Sequence, residues 1–341
     1  MIKIAINGFG RIGRLALRAI LEKHAEEAEV VAINTSGNVG ADGWAYFFKY
    51  DTAYGKFSKE VSADGENIII EQKTYPVLAI REPRELPWGE LNVDVVIEST
   101  GKFTDYDGAL SHLSAGAKKV VISAPAKGEN IPTYIIGVNN EKYHGEKIIS
   151  NGSCTTNCVA PICKIMTEKF GVLKALMTTI HSYTSDQELQ DGSHKDWRRG
   201  RAAAQNIVPT TTGAAEAVIA TLPELKGIFE ATAIRVPSLT GSLSDLSFLI
   251  NQKTTSEEVN LVFSEIAESA YYRDIVAVTT ESVVSSDIVG DSHSAIVDLN
   301  LTKVIAGDLV KIIAWYDNEW GYAERLVEQA IIIGGGDGQT N

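Results

Sequence analysis

Three glycines near the start of the chain, Gly8, Gly10 and Gly13, constrain what this sequence can fold into more than any other feature. They stand in the spacing G-x-G-x-x-G between a β-branched run, Ile2–Ile6, and an amphipathic segment, Arg11–Lys23. In that segment Ile12, Leu15, Ala16, Ala19 and Ile20 share one helical face. A strand that turns directly into a helix needs a tight turn and close helix–sheet packing, and glycine permits both. The same turn opens a helix N-terminus, where free N–H groups and a partial positive charge suit a pyrophosphate. The spacing alone is common. Between a strand and a helix at the head of a βαβ unit it predicts a dinucleotide-binding domain, with Arg11 and Ile12 as backbone neighbours of the ligand.

The rest of the chain reads as two layered domains, the default at 341 residues. Glu29–Ile33, Val93–Glu98 and Lys119–Ser123 are further buried-strand runs, with a helical stretch near Ala109–Ala117, and predict a parallel sheet. After Cys154 a helix through Val159–Phe170 gives way to longer alternating runs: Ala175–Tyr183, Ala231–Val236, Ser242–Asn251, Ser294–Leu301 and Leu309–Tyr316. Alternation over such lengths predicts a mostly antiparallel sheet with one covered face. The fold class is therefore an α/β Rossmann dinucleotide-binding domain plus an α+β catalytic domain. The expected divisions are 1–153, 154–318, a C-terminal helix at 319–333 that packs back on the first domain, and a disordered tail at 334–341.

Charge and cysteine usage narrow the class. With 31 basic and 44 acidic side chains the net charge is −13, which disfavours nucleic acid as a partner. No apolar run reaches the ~18–20 residues of a bilayer span, and the N-terminal residues lack the pattern of a secretory signal. The three cysteines, Cys154, Cys158 and Cys163, fall in one segment, which reads as reduced thiols of a cytoplasmic protein.

A dinucleotide fold of this kind ordinarily carries an acidic residue about 20 positions beyond the glycines, bonded to the adenosine ribose. Here the second strand ends Asn34-Thr35-Ser36-Gly37. Either Asp42 folds back to do that work, or the pocket has been relieved of negative charge so that a 2′-phosphate fits. No arginine is evident beside Thr35, so relaxed rather than exclusive NADP use is the expectation.

The second chemical signal is Ser153-Cys154-Thr155-Thr156-Asn157-Cys158, which joins a short strand to a helix. A cysteine at a helix N-terminus has its thiolate stabilised by the dipole and by free N–H donors. His181, at the end of a long strand run, is the candidate base, and a thiolate–imidazolium pair is the expected resting form. Cys158 and Cys163 read as structural thiols. No metal is expected, because the remaining ligands are missing. His24, His112, His144, His194 and His293 look like surface or loop positions.

Several blocks together resemble one family. Asn7-Gly8-Phe9-Gly10-Arg11-Ile12-Gly13-Arg14, Lys49-Tyr50-Asp51, Glu98-Ser99-Thr100-Gly101, the cysteine block, Thr211-Thr212-Gly213-Ala214-Ala215 and Trp315–Tyr322 are similar to phosphorylating glyceraldehyde-3-phosphate dehydrogenase, in order along nearly the whole chain. The resemblance implies a homotetramer that oxidises glyceraldehyde 3-phosphate through a thioester, which inorganic phosphate then cleaves. It implies Cys154 as nucleophile and His181 as base. It assigns Thr184 and Arg235 to the substrate phosphate, and Ser153, Thr155, Thr212 and Gly213 to the attacking phosphate, with Arg201 near both. On the cofactor side it implies Asn7, Gly8, Gly10, Arg11, Ile12, Gly13, Asn34, Thr35, Ser36, Arg81, Thr100, Gly101, Ser123, Ser193 and Asn318. Two departures bear on the cofactor: Thr35 stands where NAD-specific members carry Asp, and Gly192-Ser193 replaces a frequent Leu-Pro pair, so both NAD and NADP are expected. Ser238–Ser242 also departs from the usual run. The alternatives are an erythrose-4-phosphate dehydrogenase and a non-catalytic binding protein on the same fold.

Overall fold

The computed structural model describes residues 1–335, and these separate into two compact units. One comprises Met1–Tyr134, Glu141–Gly152 and the chain from Ala323 onward; the other comprises Ile135–Asn140 and Ser153–Tyr322.

The first unit is built on an eight-stranded sheet. Its order is Ile148–Ser150, Lys119–Ile122, Val95–Glu98, Ile2–Asn7, Ala28–Asn34, Lys73–Leu78, Asn67–Ile70 and Val61–Asp64. The first six strands are parallel, and the last two add an antiparallel edge. Ile4, Ala5 and Ile6 are completely buried, as are Val95, Val96 and Ile97, which is the near-continuous apolar signature of a sheet covered on both faces. The antiparallel edge and the helix Ala41–Lys49 are absent from the sequence expectation. The edge strands are four to six residues long and turn at Gly65 (φ +57°), too short for periodicity to register. The helix expected near Ala109–Ala117 runs Tyr106–Ser114 instead, because Asp105 caps its start by accepting from the Gly108 N–H at 2.8 Å.

The second unit has the sheet order Val208–Thr210, Phe229–Val236, Val172–Ser182, Ser242–Ile250, Leu309–Tyr316, Ala295–Asp298 and Val276–Thr279, with Lys303–Ile305 paired to Leu309–Tyr316. Most pairs are antiparallel. Val172–Ser182 runs parallel to Phe229–Val236, and Val276–Thr279 parallel to Ala295–Asp298, so the sheet is mixed. Alternate residues of Ser242–Ile250 are buried, and the helix Cys154–Phe170 covers that face. Cys158, Val159, Ile162, Cys163 and Met166 from the helix meet Leu246, Phe248, Val310 and Ile312 from the sheet, all fully buried. This helix starts at Cys154, five residues before the apolar run at Val159 that sequence periodicity picks out, and carries Pro161 inside it. An interior proline costs about 3 kcal/mol, which the buried helix face offsets.

The C-terminal helix Trp320–Gly334 buries Leu326, Val327, Ala330 and Ile333 completely. In the first unit Lys119 Nζ donates to its Ile333 carbonyl at 2.8 Å. Of the expected tail, 336–341 lie outside the described residues.

Two glycines of the first turn differ in what surrounds them. A Cβ on Gly13 would stand 2.1 Å from the Gly8 carbonyl oxygen, whereas one on Gly10 would meet nothing within 4 Å. Gly13→Ala is therefore expected to cost roughly 1–3 kcal/mol in denaturant unfolding, as forced overpacking does. Gly10→Ala should change stability by less than about 0.5 kcal/mol. Equal effects would show that the turn is not packed this way.

Candidate active site

The glycine turn has the shape a dinucleotide needs. Gly8 has φ +101°, and a Cβ there would lie 2.7 Å from the Ser99 carbon and the Thr100 nitrogen. Gly10 is the N-cap of Arg11–Lys23, faces open space and has no side-chain cap, so a pyrophosphate fits against the first helical turn, where Ile12 also lies. The Arg11 guanidinium is paired with Asp51, whose carboxylate also accepts from the Ala53 and Tyr54 N–H groups. Burial opposes that carboxylate's charge, but Arg11 holds Asp51 below the usual range.

Several residues assigned to the cofactor have their side chains committed within the protein. Asn34 exchanges bonds with both backbone atoms of Ile80 and donates to Asn7 Oδ1 at 2.7 Å. The Thr100 hydroxyl bonds Glu98. Gly101 (φ +70°) opens on free space, and the Ser123 N–H is held by the Glu98 carbonyl at 2.9 Å. Thr35 is buried and its hydroxyl donates to the Leu78 carbonyl at 3.1 Å. Ser36 is exposed. Arg81, which follows Ile80, is exposed.

In the second unit Ser153 caps Cys154–Phe170 in a reciprocal capping box. Its Oγ accepts from the Thr156 N–H at 3.1 Å, and Thr156 Oγ1 accepts from the Ser153 N–H at 3.2 Å. Cys154 is thus the first helical residue. Its Sγ lies 3.4 Å from His181 Nε2, at the end of Val172–Ser182. His181 Nδ1 has the Ser182 carbonyl at 2.7 Å, and a proton held there leaves Nε2 as the acceptor facing sulfur. Burial, and then the positive charge of Arg235, push the imidazole down to about 3. Burial pushes the Cys154 thiol up, while Arg235 and hydrogen bonds from Thr155 draw it back. Burial thus opposes charge on both members of the Cys154–His181 pair. An anion against Arg235 cancels the charge that opposes protonation of His181.

Arg235 is ready for such an anion. Its Nη1 donates to the Ser182 carbonyl at 3.0 Å and sits 2.7 Å from His181 Nδ1, while its buried Nε has no hydrogen-bond partner. Thr212 and Gly213 lead into the helix Ala214–Thr221, with Gly213 as its open N-cap. Thr184 is half-buried two residues beyond the His181 strand. The Arg201 guanidinium pairs with exposed Asp191 at 2.8 Å. Arg199, two residues earlier, joins Asp186, the Thr210 hydroxyl and the Thr211 carbonyl, and its charge is felt at Arg235. Two arginines two residues apart in Arg199-Gly200-Arg201 could not be told apart without the loop's course. The Ser153 and Thr155 hydroxyls are committed to Thr156 and Tyr316 respectively. Asn318 is buried, its Oδ1 accepting from Ser242 at 2.7 Å, which gives part of the unusual 238–242 run a local role. Ser193 is exposed.

Residues 2–106 match the glyceraldehyde 3-phosphate dehydrogenase NAD binding domain, and residues 153–318 match the C-terminal domain of the same enzyme. The chain belongs to the glyceraldehyde-3-phosphate dehydrogenase family. It is 50% identical over 335 residues to the glyceraldehyde-3-phosphate dehydrogenase of Streptomyces coelicolor, covering 98% of both chains. It is 49% identical to one from Kluyveromyces marxianus (96% of this chain, 98% of that protein). A chloroplastic form from Arabidopsis thaliana is also 49% identical (97% and 83%).

For a dehydrogenase of this family the three thiols should differ sharply. Cys154 is partly exposed beside His181, whereas Cys158 and Cys163 are fully buried and burial pushes both thiols far up. Iodoacetamide at neutral pH should label Cys154 about 100-fold faster or more, since each pKa unit is a factor of ten in thiolate. His181→Asn should slow that labelling. Equal rates at the three thiols, read by mass spectrometry, would contradict the assignment.

Proposed function

We propose that this chain catalyses the phosphorylating oxidation of D-glyceraldehyde 3-phosphate to 1,3-bisphosphoglycerate, through a thioester on Cys154. The observation that carries it is the 3.4 Å contact from Sγ to His181 Nε2 beside Arg235 and its unpartnered Nε. Sulfur bonds to C1 of the aldehyde as His181 Nε2 takes the thiol proton and returns one to the new oxyanion. When bound, NAD supplies the acceptor for the hydride lost from C1. The hydroxyl proton passes back to His181, leaving a thioester. An oxygen of inorganic phosphate then attacks that carbon, the C–S bond breaks, and the Cys154 sulfur is released. Arg235 with Thr184, and Arg199 with Thr212 and Gly213, are the groups suited to the two phosphates. None of these steps calls for a metal. The relatives above carry the name glyceraldehyde-3-phosphate dehydrogenase, and neither alternative reading is favoured.

The protein is further read as a cytoplasmic homotetramer without nucleic-acid or membrane partners. Among the described residues no helix is long and apolar enough to cross a membrane. Leu189, Trp197 and Ile207 are 78%, 88% and 71% exposed within one stretch of the second unit, which supports a further copy of the chain covering them.

Turnover should require inorganic phosphate or arsenate. Arg235→Leu should weaken handling of the sugar phosphate by roughly 1.5–3 kcal/mol, the usual worth of a charge-assisted bond. Steady turnover equally fast without phosphate would instead mark a hydrolysing dehydrogenase.

Dual use of NAD and NADP rests on the uncharged Thr35, on exposed Ser36 and Arg81, and on Ser193. Removing a carboxylate removes repulsion of a 2′-phosphate, even though the Thr35 hydroxyl itself is turned inward. Catalytic efficiency with NADP should fall within about a hundredfold of that with NAD, a gap under roughly 3 kcal/mol. Thr35→Asp should suppress NADP use selectively. An unchanged cofactor ratio in that variant would refute the reading.

A further inference from the structure

A buried polar network lies behind the glycine turn, and the chemistry above uses none of its two central residues. Glu98, 1% exposed at the end of Val95–Glu98, receives four hydrogen bonds. Asn7 Nδ2 (2.5 Å) and His112 Nε2 (3.1 Å) reach its Oε2, and the Thr100 N–H (2.8 Å) and hydroxyl reach its Oε1. His112 is completely buried, not the surface or loop histidine expected from its polar sequence neighbours. Its Nδ1 accepts from the Trp88 indole N–H at 3.0 Å, so the ring's own proton stands on Nε2, facing Glu98. Stacking against Trp88 and an edge contact with Phe103 fix the plane of the imidazole.

The network joins the ends of three neighbouring parallel strands. Asn7 is in register with Glu98 on one side and Asn34 on the other, and Asn34 continues the chain of bonds to Ile80. This is the carboxyl edge of a parallel sheet, where such folds receive ligands. The backbone of Ser99 and Thr100, next to Glu98, forms the wall against which Gly8 lies, and Ser99 Oγ donates to the Gly8 carbonyl at 2.7 Å.

We propose that Glu98 and His112 are positioning residues for dinucleotide binding: the carboxylate, oriented by the imidazole, holds the Ser99–Thr100 backbone against Gly8 and so keeps the turn open to a pyrophosphate. A buried carboxylate is tolerable only when its lone pairs are satisfied, and four donors do that here. Weakening any of them loosens the wall before it unfolds the sheet, whose strands remain paired through their backbones.

The proposal rests on the turn receiving NAD, and calorimetric titration of NAD into the full chain tests both. Glu98→Gln places an amide where four donors converge. His112→Leu offers neither an acceptor to Trp88 nor a donor to Glu98, whereas His112→Gln offers both. Glu98→Gln and His112→Leu should each raise the NAD dissociation constant tenfold or more, with His112→Gln within threefold of the unmodified protein. Saturating NAD should restore kcat to within twofold in all three, and iodoacetamide labelling of Cys154 without NAD should be unchanged. Unaltered NAD affinity in Glu98→Gln and His112→Leu would overturn the proposal. So would equal losses in His112→Gln and His112→Leu, or labelling that falls with affinity. If the unmodified protein binds no NAD, the cofactor reading fails and the proposal with it.

Discussion

The contact between Cys154 Sγ and His181 Nε2 joins a helix start to a strand end, and each is fixed by forces that owe nothing to the other. The helix start is set by the Ser153–Thr156 capping box, worth about 1 kcal/mol, and by an almost fully buried first half. The strand end is set by pairing on both sides, parallel to Phe229–Val236 and antiparallel to Ser242–Ile250. The same parallel register places Arg235 opposite His181. One pairing therefore positions His181 and the cation that lowers its basicity, and a slip by one residue would turn both side chains to the other face of the sheet.

Charge is distributed with the same economy. The chain is acidic overall, yet Arg235 brings positive charge to Cys154, and the charge of Arg199 is felt at Arg235. The buried Arg235 Nε has no hydrogen-bond partner, which is destabilising in isolation and suits an anion. Exposed pairs such as Arg201 with Asp191 contribute little by comparison. The first unit treats charge differently: Glu98 is buried, but every donor around it points inward, so its charge shapes backbone rather than meeting ligand.

The sequence by itself determined the central parallel strands and the glycine turn, and it singled out Cys154 and His181, which the fold brings into contact. Each of these is a local pattern: apolar runs with a period, glycines at fixed spacing, a cysteine among capping residues. Tertiary structure decided what depends on pairings between distant segments. It separated Arg199 from Arg201, because the path of the loop sends one guanidinium to Asp186 and the other to exposed Asp191. It turned the Thr35 hydroxyl toward the Leu78 carbonyl, on a strand that periodicity did not reveal. It buried His112 against Trp88 and Glu98, partners far from it in sequence. A side chain's composition is written in the chain; the direction in which its donors and acceptors point is set by which strands lie beside it.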